Sequence, residues 1–176
     1  MVIETTGILN FTPPEKTRKH LSQKEWKRHA LIETDCDLER YYAWFLENRF
    51  NLKLNKTLRG THISFIADRY SDNEKWEEVS KKYHGKSITF YYEIEPRSNI
   101  EHWWLRVHCP LAEDIREELG LPREPYYPFH LTIGFANEKN IAHSEYILEQ
   151  CIRFNLIENE PRKPLSEHKI LTFFNT

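Results

Sequence analysis

Two short segments of the sequence carry the same pattern of chemically active side chains. Residues 61–66 (THISFI) and 129–134 (FHLTIG) each place a histidine two positions before a hydroxyl residue, with apolar residues between and after. Because side chains alternate between the two faces of a strand, His62 and Ser64 share one face, and so do His130 and Thr132. The pattern therefore predicts two strands, each presenting an imidazole and a hydroxyl to the same side.

These groups suit the cleavage of a phosphodiester bond. One histidine would remove a proton from an attacking hydroxyl, and the other would protonate the leaving oxygen. An imidazole has an ordinary pKa of about 6.5, so both of its forms are available near neutral pH. The hydroxyls of Ser64 and Thr132 would bind the non-bridging phosphate oxygens as charge develops. We therefore predict that His62, Ser64, His130 and Thr132 are the catalytic residues.

Chance produces some of these patterns. A chain with nine histidines and 19 serines or threonines is expected to contain about one His-x-Ser/Thr match at random. The third match, His20-Leu21-Ser22, lies between polar residues without a strand pattern. A single histidine in a strand is more often a packed structural residue than a catalytic one. The duplication of the whole pattern, 68 residues apart, favours function.

Other kinds of catalytic site have weaker support in the sequence. His102 and His108 are six residues apart, no H-E-x-x-H segment occurs, and no acidic pair joins either histidine motif at a ligand spacing. The G-x-S-x-G elbow of a Ser-His-Asp hydrolase is also missing. We expect neither a metal nor another cofactor.

Further residues are candidates for substrate binding. Two aromatic pairs, Tyr91-Tyr92 and Trp103-Trp104, lie on the two strands predicted between the motifs. Alternation sends one ring of each pair to the core and the other to the opposite face. A ring on the open side could stack on a base, although core packing is commoner. The basic residues from Lys16 to Arg28 would either close over an anion or form a solvated loop. The substrate-binding candidates are Arg59, Tyr92, Trp103, Trp104 and Tyr127.

The hydrophobic periodicity predicts interspersed strands and helices. Apolar alternation and turn residues place strands at 2–11 (interrupted by Gly7), 26–33, 61–68, 86–95, 102–109, 130–136 and 169–174. Helical spacing of apolar residues places helices at 38–46, 76–83, 111–119 and 140–156. Antiparallel strands and helices are interspersed, and the predicted fold class is therefore α+β.

The composition limits the functional classes. The chain has 176 residues and a net charge of −2, with 25 Lys and Arg against 27 Asp and Glu, which argues against general DNA binding. Cys36, Cys109 and Cys151 are an odd, widely spaced set, so we expect free structural thiols. No apolar run approaches the length of a membrane span, and we expect a cytoplasmic protein.

The paired four-residue motifs, residues 62–65 and 130–133, resemble the signature of the 2H phosphoesterase superfamily. The resemblance extends over the arrangement of residues 26–157, although the specific motifs occupy eight positions. It implies a single bilobal domain over 1–176, with 61–68 in the first lobe and 129–136 in the second. It also implies motifs that face each other across a groove, and catalysis without metal. Ser64 departs from the commoner threonine but keeps the hydroxyl.

Within that superfamily, the chain looks most like the phage anti-CBASS nucleases. The similarity lies in the short chain, the motif spacing, residues 60–64, and the early strand followed by Phe11-Thr12-Pro13-Pro14 and a basic stretch. It implies attack by a ribose 2′-hydroxyl on the 3′-5′ bonds of cyclic di- and trinucleotide messengers in the host cytoplasm. The alternatives are a 2′,3′-cyclic phosphodiesterase of linear RNA ends, a 2′-5′ RNA ligase-like enzyme, and a non-catalytic nucleotide-binding module. The sequence leaves the oligomeric state and the roles of the two histidines open.

Overall fold

The structure is a computed structural model of the chain. It describes residues 1–11, 29–34, 37–57, 60–66, 74–125, 127–136, 149–150, 152–154 and 156–157. The predicted basic stretch at 15–28 and the predicted terminal strand at 169–174 lie outside these residues, as does most of the predicted helix at 140–156.

The described residues form an α+β fold, as the sequence predicts. The strands are β1 (Val2–Asn10), β2 (Ala30–Glu33), β3 (His62–Ile66), β4 (Ser87–Glu93), β5 (Arg97–Ser98), β6 (His102–His108) and β7 (His130–Phe135). The helices are α1 (Leu38–Phe50), α2 (Trp76–Tyr83) and α3 (Pro110–Glu118). Within the described part of the chain, no helix is long and apolar enough to cross a membrane.

Local sequence signals explain where the helices begin and end. Pro110 opens α3, where its missing N–H costs no helical hydrogen bond. Gly120, with φ of +73°, follows α3 in the left-handed conformation that terminates helices. Asn51 does the same after α1, with φ of 54°. In α2 the acidic residues lie in the first turn and the basic residues in the last, which complements the helix dipole.

The strands pair into one antiparallel sheet that closes on itself. Its order is β4-β1-β2-β3-β7-β6-β5, and a further pairing of β4 with β6 joins the two sides into a six-strand, barrel-like sheet. Every pairing between these strands is antiparallel. The two motif strands, β3 and β7, are direct neighbours in this sheet.

One face of the sheet is apolar and packs against the helices. Ile63, Phe65, Leu105, Leu131 and Ile133 point to this face and are at most 1 % exposed. They form one cluster with the buried apolar residues of the three helices. The opposite face carries the polar residues of the same strands. The core therefore fixes which way each motif side chain points.

The prediction that Gly7 interrupts the first strand is wrong. The strand β1 runs through Gly7 without interruption and pairs with both β2 and β4. A Cβ atom at Gly7 would lie 2.5 Å from Ile32 Cγ2 and 2.6 Å from the carbonyl oxygen of Glu33. The glycine thus permits the close approach of β1 and β2, where a side chain would collide with backbone.

Candidate active site

The two histidine motifs lie side by side on neighbouring antiparallel strands. Ile63 on β3 and Leu131 on β7 are direct cross-strand partners. Extending this register by one residue in each direction places His62 opposite Thr132 and Ser64 opposite His130. All four side chains project from the face opposite to Ile63 and Leu131. We call this group of four residues the tetrad.

The tetrad forms a small square. Directly opposite residues in an antiparallel pair have Cβ atoms about 4.5–5.5 Å apart, and diagonal neighbours lie about 7–8 Å apart. The two histidines occupy one diagonal, and the two hydroxyl residues, Ser64 and Thr132, occupy the other. Ser64 is exposed and the other three residues are half-buried. A group bound over the centre would therefore be within reach of both imidazoles and both hydroxyls.

Each imidazole is held by the same contact with the backbone. His62 Nδ1 lies 2.8 Å from the carbonyl oxygen of Gly60, and His130 Nδ1 lies 2.9 Å from that of Pro128. A carbonyl oxygen only accepts hydrogen bonds, so Nδ1 carries a hydrogen in both rings. The nitrogen that gains or loses a proton is consequently Nε2 in each case. Both rings are thus prepared for proton transfer through the same atom.

A buried carboxylate holds the backbone that orients His62. Glu39, in the first turn of α1, is 8 % exposed. Its carboxylate accepts hydrogen bonds from the Thr57 N–H (3.1 Å) and from the hydroxyls of Thr57 (3.0 Å) and Thr61 (3.5 Å). Thr57 Oγ1 also lies 3.2 Å from the Gly60 carbonyl oxygen, the acceptor for His62. The helix thereby fixes the segment that enters β3.

Different contacts hold the backbone that orients His130. The Phe129 ring is buried in the core, 4 % exposed. The Phe129 carbonyl oxygen accepts a hydrogen bond of 2.9 Å from the backbone N–H of Val107 on β6. The residue before Phe129 is Pro128, whose ring restricts the backbone angle φ. These contacts hold the Pro128 carbonyl in place as the acceptor for His130.

Charged residues flank both histidines across the sheet. Glu33 on β2 is the cross-strand partner of His62, and Arg106 on β6 is the partner of His130. Partners in such pairs project to the same face, so both charged side chains border the tetrad. The sequence analysis missed these two residues. Their local sequences carry no signal, since their place beside the tetrad depends on the pairing of distant strands.

Arg106 belongs to a larger charged cluster. Glu93 Oε1 lies 3.1 Å from His108 Nε2, and Glu93 Oε2 lies 3.6 Å from Arg97. Burial by itself would raise the pKa of Glu93, but the hydrogen bond from His108 and the charges of Arg106, His108 and Arg97 lower the pKa below its ordinary value. Glu93 is therefore ionised near neutral pH and offsets part of the positive charge beside the tetrad.

Of the neighbouring residues Trp103 and Trp104, Trp104 lies on the tetrad side of the sheet. It is the cross-strand partner of Thr132 on β7 and of Arg97 on β5. Although Trp104 is only 7 % exposed, it is not part of the main apolar cluster. Because so little of Trp104 is exposed, its predicted contact with a base stays a prediction.

Trp103 and Tyr92 have a different place from the one predicted. Trp103 is fully buried in the apolar cluster, and its indole N–H donates to the Ile100 carbonyl oxygen. Tyr92 also packs in that cluster and lines an apolar cavity of about 760 Å³ beside α1. Both rings point away from the tetrad, because alternation along β4 and β6 sends them to the helix-covered face. They are therefore core residues and not groove contacts.

The remaining candidates are placed only in part. Tyr127 is half-buried and lies three residues before His130, and its role in substrate binding stays a prediction. Arg59 lies outside the described residues.

Among the cysteines, Cys109 is a buried free thiol, and burial raises its pKa from 9.0 to about 11. Cys36 and Cys151 lie outside the described residues.

A third histidine contacts the tetrad. His29, immediately before β2, is 7 % exposed, and its Nε2 lies 3.3 Å from Ser64 Oγ. The sequence analysis did not single out His29, because a histidine that follows a basic stretch carries no motif of its own.

Among the described residues, no group of three His, Cys, Asp or Glu side chains is arranged to hold a metal ion.

Comparisons with protein-family models, with curated proteins and with solved structures returned no significant match for this chain.

Proposed function

We propose that the protein is a phosphodiesterase of the 2H type, in which His62 and His130 transfer protons without a metal ion. The observation that carries the proposal is the matched anchoring of the two imidazoles, each through Nδ1 to the carbonyl oxygen two residues earlier. This contact leaves Nε2 as the proton-transfer atom in both rings. A purely structural role would not require both histidines to share the same sequence pattern, strand position and tautomer.

The proposed reaction uses the substrate's own ribose. The 2′-hydroxyl attacks the adjacent phosphorus, and the Nε2 atom of one histidine takes the hydroxyl proton. The Nε2–H group of the other histidine protonates the 5′-oxygen as its bond to phosphorus breaks. The products are a 2′,3′-cyclic phosphate and a 5′-hydroxyl, and the two histidines have exchanged their protonation states.

The hydroxyl residues and Arg106 would stabilise the negative charge of the substrate phosphate. Ser64 and Thr132 would donate hydrogen bonds to the non-bridging oxygens, whose negative charge grows in the transition state. Arg106, as the cross-strand partner of His130, would meet the same phosphate or its neighbour. Trp104, the cross-strand partner of Thr132, would contact a base only through the small part of its ring that is exposed.

The narrower proposal is a cyclic di- or trinucleotide as substrate, as in the phage anti-CBASS nucleases. The local two-fold relation between β3 and β7 supports it, since it exchanges His62 with His130 and Ser64 with Thr132. A bilobal, pseudo-symmetric fold of the 2H kind would extend this relation to the flanking strands. Every linkage in a cyclic oligonucleotide has an internal nucleophile and a leaving group, as the reaction requires.

The test is cleavage of a panel of cyclic and linear oligonucleotides in EDTA, followed by mass spectrometry. The proposal expects turnover in EDTA and a 2′,3′-cyclic phosphate product. A cyclic dinucleotide with a single 2′-deoxy substitution should bind but resist cleavage at that position, because an oriented internal hydroxyl is worth about 10⁵ M or more in effective concentration.

Different results of this panel would redirect the proposal. Rapid cleavage at the deoxy position would mean that the histidines activate water. Preference for linear RNA ends would favour the RNA-end enzyme. Tight binding of the whole panel without turnover would favour a nucleotide-binding module, and a strict requirement for a divalent ion would contradict the metal-independent mechanism.

A further inference from the structure

His29 contacts a hydroxyl that the proposed reaction needs. Its Nε2 lies 3.3 Å from Ser64 Oγ, and its side chain is buried. The register of β2 against β3 shifts between Ala30 and Leu31, so that Ala30 pairs with Ile66 and Leu31 with Ser64. Alternation along β2 then sends His29 to the same face as Leu31, which is the face of the tetrad. Irregularities of this kind often re-aim a side chain next to an active site.

The direction of the hydrogen bond decides what Ser64 can do. A serine hydroxyl has one hydrogen to donate and two lone pairs to accept with. If Ser64 donates to His29, its only hydrogen is used and the phosphate meets a lone pair. If His29 Nε2–H donates to Ser64 Oγ, the hydroxyl hydrogen remains for the phosphate oxygen. Donation from Ser64 to a phosphate oxygen is therefore compatible only with the second arrangement.

We propose that His29 is a positioning residue, which carries its proton on Nε2, donates to Ser64 Oγ and thereby turns the Ser64 hydroxyl hydrogen toward the phosphate of the substrate. This inference rests on the proposed function, and it concerns Ser64 alone. Thr132 has Trp104 as its cross-strand neighbour in the corresponding direction, on β6. His29 should thus affect one half of the tetrad and leave the Thr132 half unchanged.

A double-mutant cycle separates positioning from a structural role. We expect His29→Phe, which keeps a ring but removes the donor, to lower kcat about 10 to 10²-fold with little change in KM, a smaller loss than that of a complete oxyanion donor. His29→Gln, which restores an amide donor, should recover most of the rate. In a Ser64→Ala background, His29→Phe should change kcat less than two-fold, whereas in the matched Thr132→Val background it should keep its full effect.

An undiminished effect of His29→Phe in the Ser64→Ala protein would overturn the proposal, as would a wild-type rate in His29→Phe. Thermal unfolding of each variant identifies a loss of rate that comes from a loss of fold.

A second measurement does not require turnover. Proton–nitrogen correlation spectra of the imidazoles distinguish the tautomers, with His29→Gln used to assign the signal of His29. We expect a proton on His29 Nε2 in the wild-type protein. A neutral ring with its proton on Nδ1 alone would refute the proposal, even if the protein cleaves no oligonucleotide. Absence of cleavage with an Nε2 proton would count against the proposed function and leave the His29–Ser64 contact supported.

Discussion

His62 and His130 contact the backbone in the same way, although they are 68 residues apart in the sequence. Each ring's Nδ1 bonds the carbonyl oxygen two residues earlier, at 2.8 Å for Gly60 and 2.9 Å for Pro128. The two acceptors are held by different means, a carboxylate network at Gly60 and a strand contact beside Pro128. The same imidazole geometry is therefore built twice from different local sequences.

Substitution of Ser64 or Thr132 should lower kcat less than substitution of His62 or His130. We expect Ser64→Ala and Thr132→Val each to lower kcat about 10² to 10³-fold, because each removes one donor to the developing charge. KM should change less than kcat, since the donor matters most in the transition state. Steady-state kinetics on one cyclic dinucleotide measure both parameters. Wild-type rates in both variants would mean that the phosphate binds elsewhere.

The pH dependence of kcat/KM should be bell-shaped. One imidazole must be neutral and the other charged in the same molecule, so the active form disappears at both ends of the pH range. Rates measured from pH 5 to 9 in EDTA give the profile, and Thr132→Val, which keeps both imidazoles, should retain its shape. A rate that rises steadily to pH 9 would point to a single base or to a metal-bound hydroxide.

The sequence predicts the tetrad strands but not their neighbours. Alternation within residues 61–66 and 129–134 is a local property, and it correctly separates His62 from the core residue Ile63. Pairing of β3 with β7 is a non-local property, and no local pattern encodes it. The roles of Glu39, Arg106 and His29 depend on such pairings or on packing of α1, which explains why the sequence analysis missed them.

The aromatic pairs show a second limit of sequence reasoning. Alternation indicates that neighbouring rings point to opposite faces, but it does not say which face is covered by helices. Trp103 and Tyr92 belong to the covered face, whereas Trp104 lies beside Thr132. The register of β6 against β7 also shifts between Trp103 and Trp104, where Trp103 pairs with Gly134 and Trp104 with Thr132. Such an irregularity is set by the partner strand.

Cys109 should be unreactive in the native protein. Burial raises the pKa of its thiol from 9.0 to about 11, so the thiolate is scarce at pH 8. Alkylation with iodoacetamide, followed peptide by peptide, should label Cys109 only after unfolding. Because the folded pKa is the higher one, the stabilisation from the neutral thiol is fully present below about pH 9 and is lost as the pH rises through about 11. Rapid native labelling of Cys109 at pH 8 would contradict its burial.

The two histidines carry the central claim, and single-turnover cleavage of a cyclic dinucleotide in EDTA tests it most directly. We expect His62→Ala and His130→Ala each to lower the rate about 10² to 10⁴-fold, because each removes one proton-transfer group. His102→Ala is the matched control, since His102 is an exposed histidine of β6 outside the tetrad, and it should cleave at the wild-type rate. Binding of the 2′-deoxy analogue should persist in all three variants, and retention of a near wild-type cleavage rate by either tetrad variant would contradict the two-histidine mechanism.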